Sequence, residues 1–411
     1  MGGSINVTDS ADKHDVTHAP SLKLWQRLAC AVSKGTSAGS LVLIFSDGQS
    51  CRFEGKNPGP DAELRLNNPR AIYRFLFGGN LGFSRAFIDG DCDSPDIGKF
   101  LDFAMANEAM LHSATNWAGA LKWVDFLRHK LRHNSREGSK KNIAYHYDLG
   151  NEFYRLWLDG TMTYSSALYD KDGMSLEQAQ SAKYQRIIDE LGIGPDDHIL
   201  EIGCGWGGFA EHAVRTTGCR VTGLTLSQEQ AAFARKRLEN AGLADRVDIR
   251  LEDYRDCRGS FDAIVSIEMF EAVGEEHWPT YFAAVEQLLK PGGRAMIQTI
   301  TIDERRFEDY RRNADFIQTF IFPGGMLPSF ERFKASANKA GLVVRDWLNF
   351  GEHYARTLVT WEEAFLANWR NIQPMGFDER FRRMWQFYLS YCAAGFRAHS
   401  IDVFQIQLTK S

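Results

Sequence analysis

The sequence predicts an α/β chain: a parallel sheet with helices on both faces fills its C-terminal two-thirds, behind a smaller N-terminal α+β unit. Three observations predict it. Residues 198–208 read as a buried strand, a tight turn and a helix. Ile199, Leu200 and Ile202 form an apolar run too short for a helix, glycines at 203, 205, 207 and 208 break it, and a helical pattern begins near Phe209. Strand and helix patterns then alternate to about residue 300, as repeated βα units do. The first hundred residues instead carry a hairpin pattern between helical stretches.

The chain has 411 residues, 44% of them hydrophobic and 25% charged, enough for two or three domains of ordinary globular composition. A formal charge of −5 argues against a general nucleic-acid-binding surface. Seven cysteines lie scattered without C-x-x-C spacing, which indicates neither a zinc site nor a disulfide framework and fits a reducing cytoplasm. No stretch reaches the roughly 18 apolar residues of a membrane span, so any membrane contact is expected to be peripheral.

In chain order, residues 1–20 are polar and unpatterned, a disordered tail. The α+β unit follows over 21–115: a helical pattern from Leu22, strands at 41–45 and 51–54 about Asp47-Gly48, a turn at Pro58-Gly59-Pro60, a strand at 62–66, a helix at 69–77, a glycine-rich acidic stretch over 78–93, and an amphipathic helix at 97–111. Residues 116–142 form a basic helical linker. Lys122, Arg128, Lys130, Arg132, Arg136, Lys140 and Lys141 stand there against Asp125 and Glu137, with Leu121, Trp123, Phe126 and Leu127 as apolar anchors. That pattern suits either a helix lying on an anionic lipid surface or a solvated helix between domains. The aromatic, hydroxyl-rich segment from Ala144 to Tyr169 reads as a pocket lid or a packed cluster.

The catalytic-size domain spans 143–411. Its strands are expected at 198–202, 220–225, 247–251, 261–267 and 293–300, the last entered through Pro291-Gly-Gly293. A helix over 227–241 opens on Ser227 with Gln230 three residues on, a capping-box pattern. Residues 303–328 read as an insertion and the remainder as helical until a final strand at 403–408. Ligands of such sheets sit at the carboxyl ends of the strands, which collects Glu201, Gly203, Thr225, Asp253, Tyr254, Glu268, Glu271, Gln298 and Ile300. Side chains missing at Gly203 and Gly205 allow close approach of a polar ligand beside a helix N-terminus. The spacing departs from G-x-G-x-x-G, and no phosphate-loop lysine follows.

These residues resemble a known family. Glu-x-Gly-x-Gly after the first strand and Pro-Gly-Gly before the fifth look like the Rossmann-like fold of class I S-adenosylmethionine-dependent methyltransferases. His146-Tyr-Asp-Leu-Gly-Asn-Glu-Phe-Tyr154, Tyr164-Ser165, Glu201-Ile-Gly-Cys-Gly-Trp-Gly-Gly208, Gly223-Leu-Thr-Leu-Ser-Gln-Glu-Gln230, Phe320-Ile-Phe-Pro-Gly-Gly325 and His353-Tyr354 resemble the cyclopropane fatty acid synthases and their mycolic-acid relatives. The resemblance implies S-adenosylmethionine as cofactor, contacted by Tyr147, Tyr164, Ser165, Gly203, Gly205, Thr225 and Gln230. Asp253 and Tyr254 would lie near adenine, and Glu201 near the ammonium of the methionine moiety unless it serves as a structural acceptor.

The reaction implied is attack by a cis double bond of an acyl chain on the sulfonium methyl, then loss of a proton from the resulting cation. Aromatic faces at Tyr164, Trp206, Phe270, Phe320 and Tyr354 are candidates to stabilise that charge. Relatives of this kind hold a bicarbonate that takes the proton. Of its binding set, Glu271, Ile300 and Tyr354 match here. The cysteine position is Ser166, the histidine position is Gln298, and Glu-His-Val-Gly reads Glu271-Ala-Val-Gly274. Glu268 stands where the synthases usually have glycine. Bicarbonate use is therefore open, and Glu268 is a candidate internal base if it faces the site rather than solvent or an arginine. The expected partners are unsaturated phospholipids at an anionic membrane surface, with peripheral cytoplasmic location and a possible homodimer. A methylene or methyl-branched product, a small-molecule N-methyltransferase and a lipid-binding protein with a vestigial site are the alternatives.

Overall fold

A computed structural model describes residues 21–115 and 149–410. The expected tail (1–20), the basic segment (122–141) and Tyr147 lie outside the described residues. The chain divides into two compact units: the described part of Met1–Leu127 with Gly376–Ala398, and the described part of Arg128–Met375 with His399–Ser411.

The first unit holds a four-stranded sheet, order β2-β1-β3-β4, from β1 (Ala38–Phe45), β2 (Ser50–Glu54), β3 (Asn57–Leu66) and β4 (Cys92–Asp93). The β1–β2 pair is the antiparallel hairpin anticipated about Asp47-Gly48, and β3 returns parallel to β1 on its other side. Pro58-Gly59-Pro60 is not a turn: it opens β3. Proline is tolerated there because β4 pairs only with Arg65 and Leu66, leaving the start of β3 with a free edge. The stretch 78–93 is largely helical, since helix Arg70–Ile88 continues through a kink at Gly79. The expected helix at 97–111 breaks at Asn107 into Ile97–Ala106 and Glu108–Thr115. Asn107 spends its side chain on β1 instead, accepting from Ser37 N at 2.8 Å and donating to Ala38 O at 2.9 Å.

Helix Glu379–Arg397, expected within the 143–411 domain, groups with this first unit. Its buried Arg383 donates to the carbonyls of Phe87 (2.6 Å) and Cys92 (2.7 Å), and its guanidinium lies 4.3 Å from the Phe87 ring centre.

The second unit is built on a seven-stranded sheet of β5 (His198–Ile202), β6 (Arg220–Thr225), β7 (Val247–Leu251), β8 (Phe261–Ile267), β9 (Leu289–Ile302), β10 (Leu342–Asn349) and β11 (Ile401–Lys410), in the order β10-β11-β9-β8-β5-β6-β7. The five strands β5 to β9 are parallel, as the βα alternation requires. The sheet as a whole is mixed, because β11 runs antiparallel to both β9 and β10. β10 falls in a stretch expected to be helical; its exposed Arg345, Asp346 and Trp347 hid the strand pattern. Successive side chains of a strand point to opposite faces. Leu200, Ile202, Ile264 and Ile297 therefore enter one core, with Phe270, Tyr281 and Phe282. Ile199, Val221, Val265 and Met296 enter another, against Tyr184, Ile187 and Phe209. Among the described residues no helix is long and apolar enough to cross a membrane.

Candidate active site

The glycine turn after β5 holds Gly203 at φ 85° and Gly205 at φ 52°, a region where side chains are strained. The two glycines serve different ends. A Cβ on Gly203 would come within 2.9 Å of the Met269 side chain, so that glycine allows protein to pack, not only a ligand to approach. A Cβ on Gly205 would meet nothing within 4 Å. The open side of the turn is at Gly205, next to the N-terminus of helix Gly208–Thr217.

Glu201, near the end of β5, is buried, and its Oε2 has no hydrogen-bond partner among the described residues. Burial lifts its carboxyl to about 8, against the opposing pull of Lys183 and Arg237. Thr225 and Gln230, expected on the ribose, are hydrogen-bonded to each other at 2.9 Å. The capping box is thus only half made: Ser227 Oγ accepts from Gln230 N at 3.3 Å while the Gln230 side chain turns to Thr225. Both oxygens of Asp253 accept from the Arg255 guanidinium (2.8 and 2.6 Å), so the expected adenine contact must share that carboxylate with an ion pair. Tyr254 packs edge-on to Tyr281.

The expected aromatic set divides. Tyr164 lies among the rings of Tyr154, Trp157 and Trp361, with centroids 5.3–5.5 Å away, and Trp206 meets Tyr154 at 5.0 Å. Phe270 is a core residue instead: it is wholly buried against Trp278, Tyr281, Phe282 and Phe333. Phe320 sits on the short π-helix Ile317–Ile321 beside Phe316.

The remaining predicted residues converge on Glu268. This residue has φ 49°, which carries its side chain out of the β8 alternation. Its Oε1 accepts from Ser166 N (2.8 Å) and from the Gln298 amide (2.7 Å), and its Oε2 accepts from the Tyr354 hydroxyl (2.6 Å). Its own N–H donates to Gln298 O at 2.8 Å. No arginine pairs with it among the described residues. Glu271 accepts from Ile300 N, and its Oε2 is a buried oxygen without a hydrogen-bond partner among the described residues. Burial and the neighbouring Glu268 charge push Glu271 up to about 8. Burial also raises Glu268, but Lys183, Tyr354, Ser166 N and Gln298 oppose it. Its carboxyl still lies above the usual carboxylate range; the three donors aimed at its two oxygens are what make Glu268 the better of the two acids to hold a charge.

Lys183 escaped the sequence reading. It is wholly buried on helix Leu176–Leu191 and donates to Ser165 Oγ at 2.6 Å; desolvation lowers it to about 7. A signal for it existed: Ala179, Lys183 and Ile187 recur four apart on the buried face of that helix.

A central β5 bearing a glycine turn, an antiparallel β11 between β9 and β10, and an orphaned acid beside the turn define a class I methyltransferase. The mycolic acid cyclopropane synthetase family profile matches residues 134–406. The chain belongs to that family, and is an S-adenosylmethionine-dependent methyltransferase that transfers methyl or methylene groups to fatty acids. A tuberculostearic acid methyltransferase of Mycobacterium tuberculosis is 37% identical over 380 residues, covering 90% of this chain and 88% of the relative. A cyclopropane-fatty-acyl-phospholipid synthase of Escherichia coli K12 is 38% identical over 363 residues, covering 86% and 89%. Among solved structures, a cyclopropane synthase from Mycobacterium tuberculosis superposes with a TM-score of 0.62 at 34% identity, over 66% of this chain and 98% of its own. A mycolic acid cyclopropane synthase complexed with SAH and CTAB has the same TM-score, identity and coverage. The residues present fit the methyl donor: the space beside Gly205 is one that a Cβ would enter, and the unpartnered Glu201 Oε2 suits a cationic group.

Proposed function

We propose that this enzyme acts on the cis double bond of unsaturated acyl chains in phospholipids, at an anionic membrane surface, and that Glu268 takes the proton which relatives deliver to bicarbonate. The observation that carries the reading is the hydrogen bonding of Glu268. Ser166, Gln298 and Tyr354 occupy three of the positions that the resemblance assigns to bicarbonate, and all three donate to this carboxylate.

S-adenosylmethionine supplies a methyl group made electrophilic by the sulfonium. Gly205 and Glu201 bind at the donor's side of the site. Alkenes are weak nucleophiles, so the walls must align the double bond and keep water out. The π pair forms the new carbon–carbon bond as the methyl–sulfur bond breaks, its electron pair staying on the departing neutral sulfur, and a positive charge is left on the acyl chain, near the Tyr164 and Tyr354 rings. Glu268 then accepts a proton from the added methyl group, and the electron pair of that C–H bond closes the cyclopropane ring. A hydride shift along the chain before the same proton loss gives a methylene branch; a saturated methyl branch needs a further hydride from a separate reductant. Glu271, held neutral, leaves the charge on Glu268 alone.

The test uses labelled cofactor, unsaturated phospholipid vesicles and mass analysis of the acyl chains. Parent turnover is expected to be insensitive to bicarbonate removal. Glu268→Gln should lose turnover by about 10²-fold or more while its SAH affinity stays within about twofold, less than any single lost bond would cost. Strong bicarbonate activation of the parent, with a fully active Glu268→Gln enzyme, would return the reading to bicarbonate chemistry.

A further inference from the structure

We infer that Arg186 and Gln405 are positioning residues for this reaction: with Gln298 they form a one-way hydrogen-bond chain that keeps a donor pointed at Glu268. The inference rests on the reading of Glu268 as proton acceptor.

Gln298 on β9 and Gln405 on β11 are cross-strand partners, and both are wholly buried. Two buried amides facing each other have no intrinsic orientation, because each can present either its oxygen or its nitrogen. Arg186 removes the choice. Its Nη1 donates to Gln405 Oε1 at 2.7 Å, and a guanidinium can only donate. Gln405 must therefore turn its Nε2 toward β9, where it donates to Gln298 Oε1 at 3.0 Å and, at 3.5 Å, to Lys183 O. With its oxygen taken, Gln298 presents Nε2 to Glu268 Oε1 at 2.7 Å. Three bonds run in the same sense from a cation to a carboxylate, and aligned bonds in a low-dielectric interior strengthen one another.

The chain has a fixed outer end. Arg186 lies near Glu190 (3.6 Å) and Asp346 (3.9 Å), which hold the guanidinium while leaving its inward N–H free for Gln405. At the inner end Glu268 is also faced by Lys183 from helix Leu176–Leu191, by Tyr354 from helix Gly351–Ala367 and by Glu271 from the turn beyond β8. Lys183 in turn faces Glu201 and Asp159. The Glu268 carboxylate and the Lys183 carbonyl, which can only accept, favour the same sense from the inner side. The Arg186–Gln405 link enforces it from the outer end, and a reversed Gln298 would set its carbonyl oxygen against the carboxylate.

Gln405→Leu cuts the chain without changing charge. The acidic limb of the kcat–pH profile is expected to move up by about one pH unit, the equivalent of one buried bond to a charged group, with SAH affinity and KM for the phospholipid unchanged. Arg186→Met should shift the limb similarly, and Arg186→Lys, which keeps a charged donor, should restore part of it. In the Gln405→Leu background Arg186→Met should add no further shift, since the link is already broken; an additive shift would mean a through-space charge effect and would overturn the chain. Limbs of Gln405→Leu and Arg186→Met that superimpose on the parent's would also overturn it. If Gln405→Leu does not fold, the Arg186 pair, at a side chain that still reaches solvent, carries the test. The Glu268→Gln enzyme separates the two readings. If it is inactive while the chain variants leave the limb unmoved, only the chain fails; if it is active and bicarbonate-dependent, the acceptor reading fails.

Discussion

Glu268 occupies a backbone region that costs a non-glycine residue roughly 1–2 kcal/mol, and its φ of 49° explains why glycine suits the position in the synthases it resembles. Here three hydrogen bonds from Ser166, Gln298 and Tyr354 offset that cost. The direction of this side chain could not be read from sequence, because a residue at a strand end faces either way until its φ is known. The nearness of Glu268, Gln298 and Ile300 was legible, since strand ends of a parallel sheet share one edge; Ser166 and Tyr354, on a loop and a helix, could be joined to them only through the family resemblance. Lys183 was not legible, for it lies on a helix whose pattern also suits plain packing. The two turn glycines show the same limit: the motif marks both, but only the backbone separates Gly203, closed off by Met269, from Gly205, which faces open space. Gly205→Val would fill that space with a β-branched side chain. Its SAH affinity should fall by at least about tenfold, and its cooperative thermal unfolding should persist; calorimetry with undiminished binding would place the donor elsewhere.

At the scale of elements, local pattern located most strands of the second unit because each βα repeat carries its own punctuation. It failed where tertiary context overrides local signals: Pro58 and Pro60 are tolerated at the free edge of β3, and β10 alternates too weakly to be seen. Helix Glu379–Arg397 shows what periodicity leaves out. Its buried face, with Trp385, Phe387 and Leu389, announces that something covers it but not which unit does so. Arg383 is the polar anchor of that face. Its replacement by Met keeps much of the packing over Phe87 but strips donors from two buried carbonyls. Arg383→Met should therefore destabilise the first unit by about 2–4 kcal/mol, read as a lower denaturant midpoint in the full chain. An unchanged midpoint would mean that solvent or a neighbouring donor satisfies the Phe87 and Cys92 carbonyls.

At the scale of the whole molecule, a chain of net charge −5 is repelled on average by an anionic bilayer, so docking on one needs a local exception. Residues 122–141 are that exception in sequence, with seven basic side chains against two acidic ones and apolar residues between them. Each basic group near an anionic surface contributes on the order of 1 kcal/mol, and the attraction fades with salt over a Debye length of about 8–10 Å. Reversing Arg128, Lys130 and Arg132 to Glu removes three attractions and adds three repulsions, with a predicted loss of vesicle affinity of at least about 10²-fold. Sedimentation with phosphatidylglycerol-containing vesicles measures it. The parent should be released by rising salt, the triple variant should fail to sediment even at low salt, and turnover on detergent-dispersed phospholipid should be equal in the two. Equal sedimentation of both proteins would assign 122–141 to a solvated face between domains and leave acyl-chain access to another part of the chain.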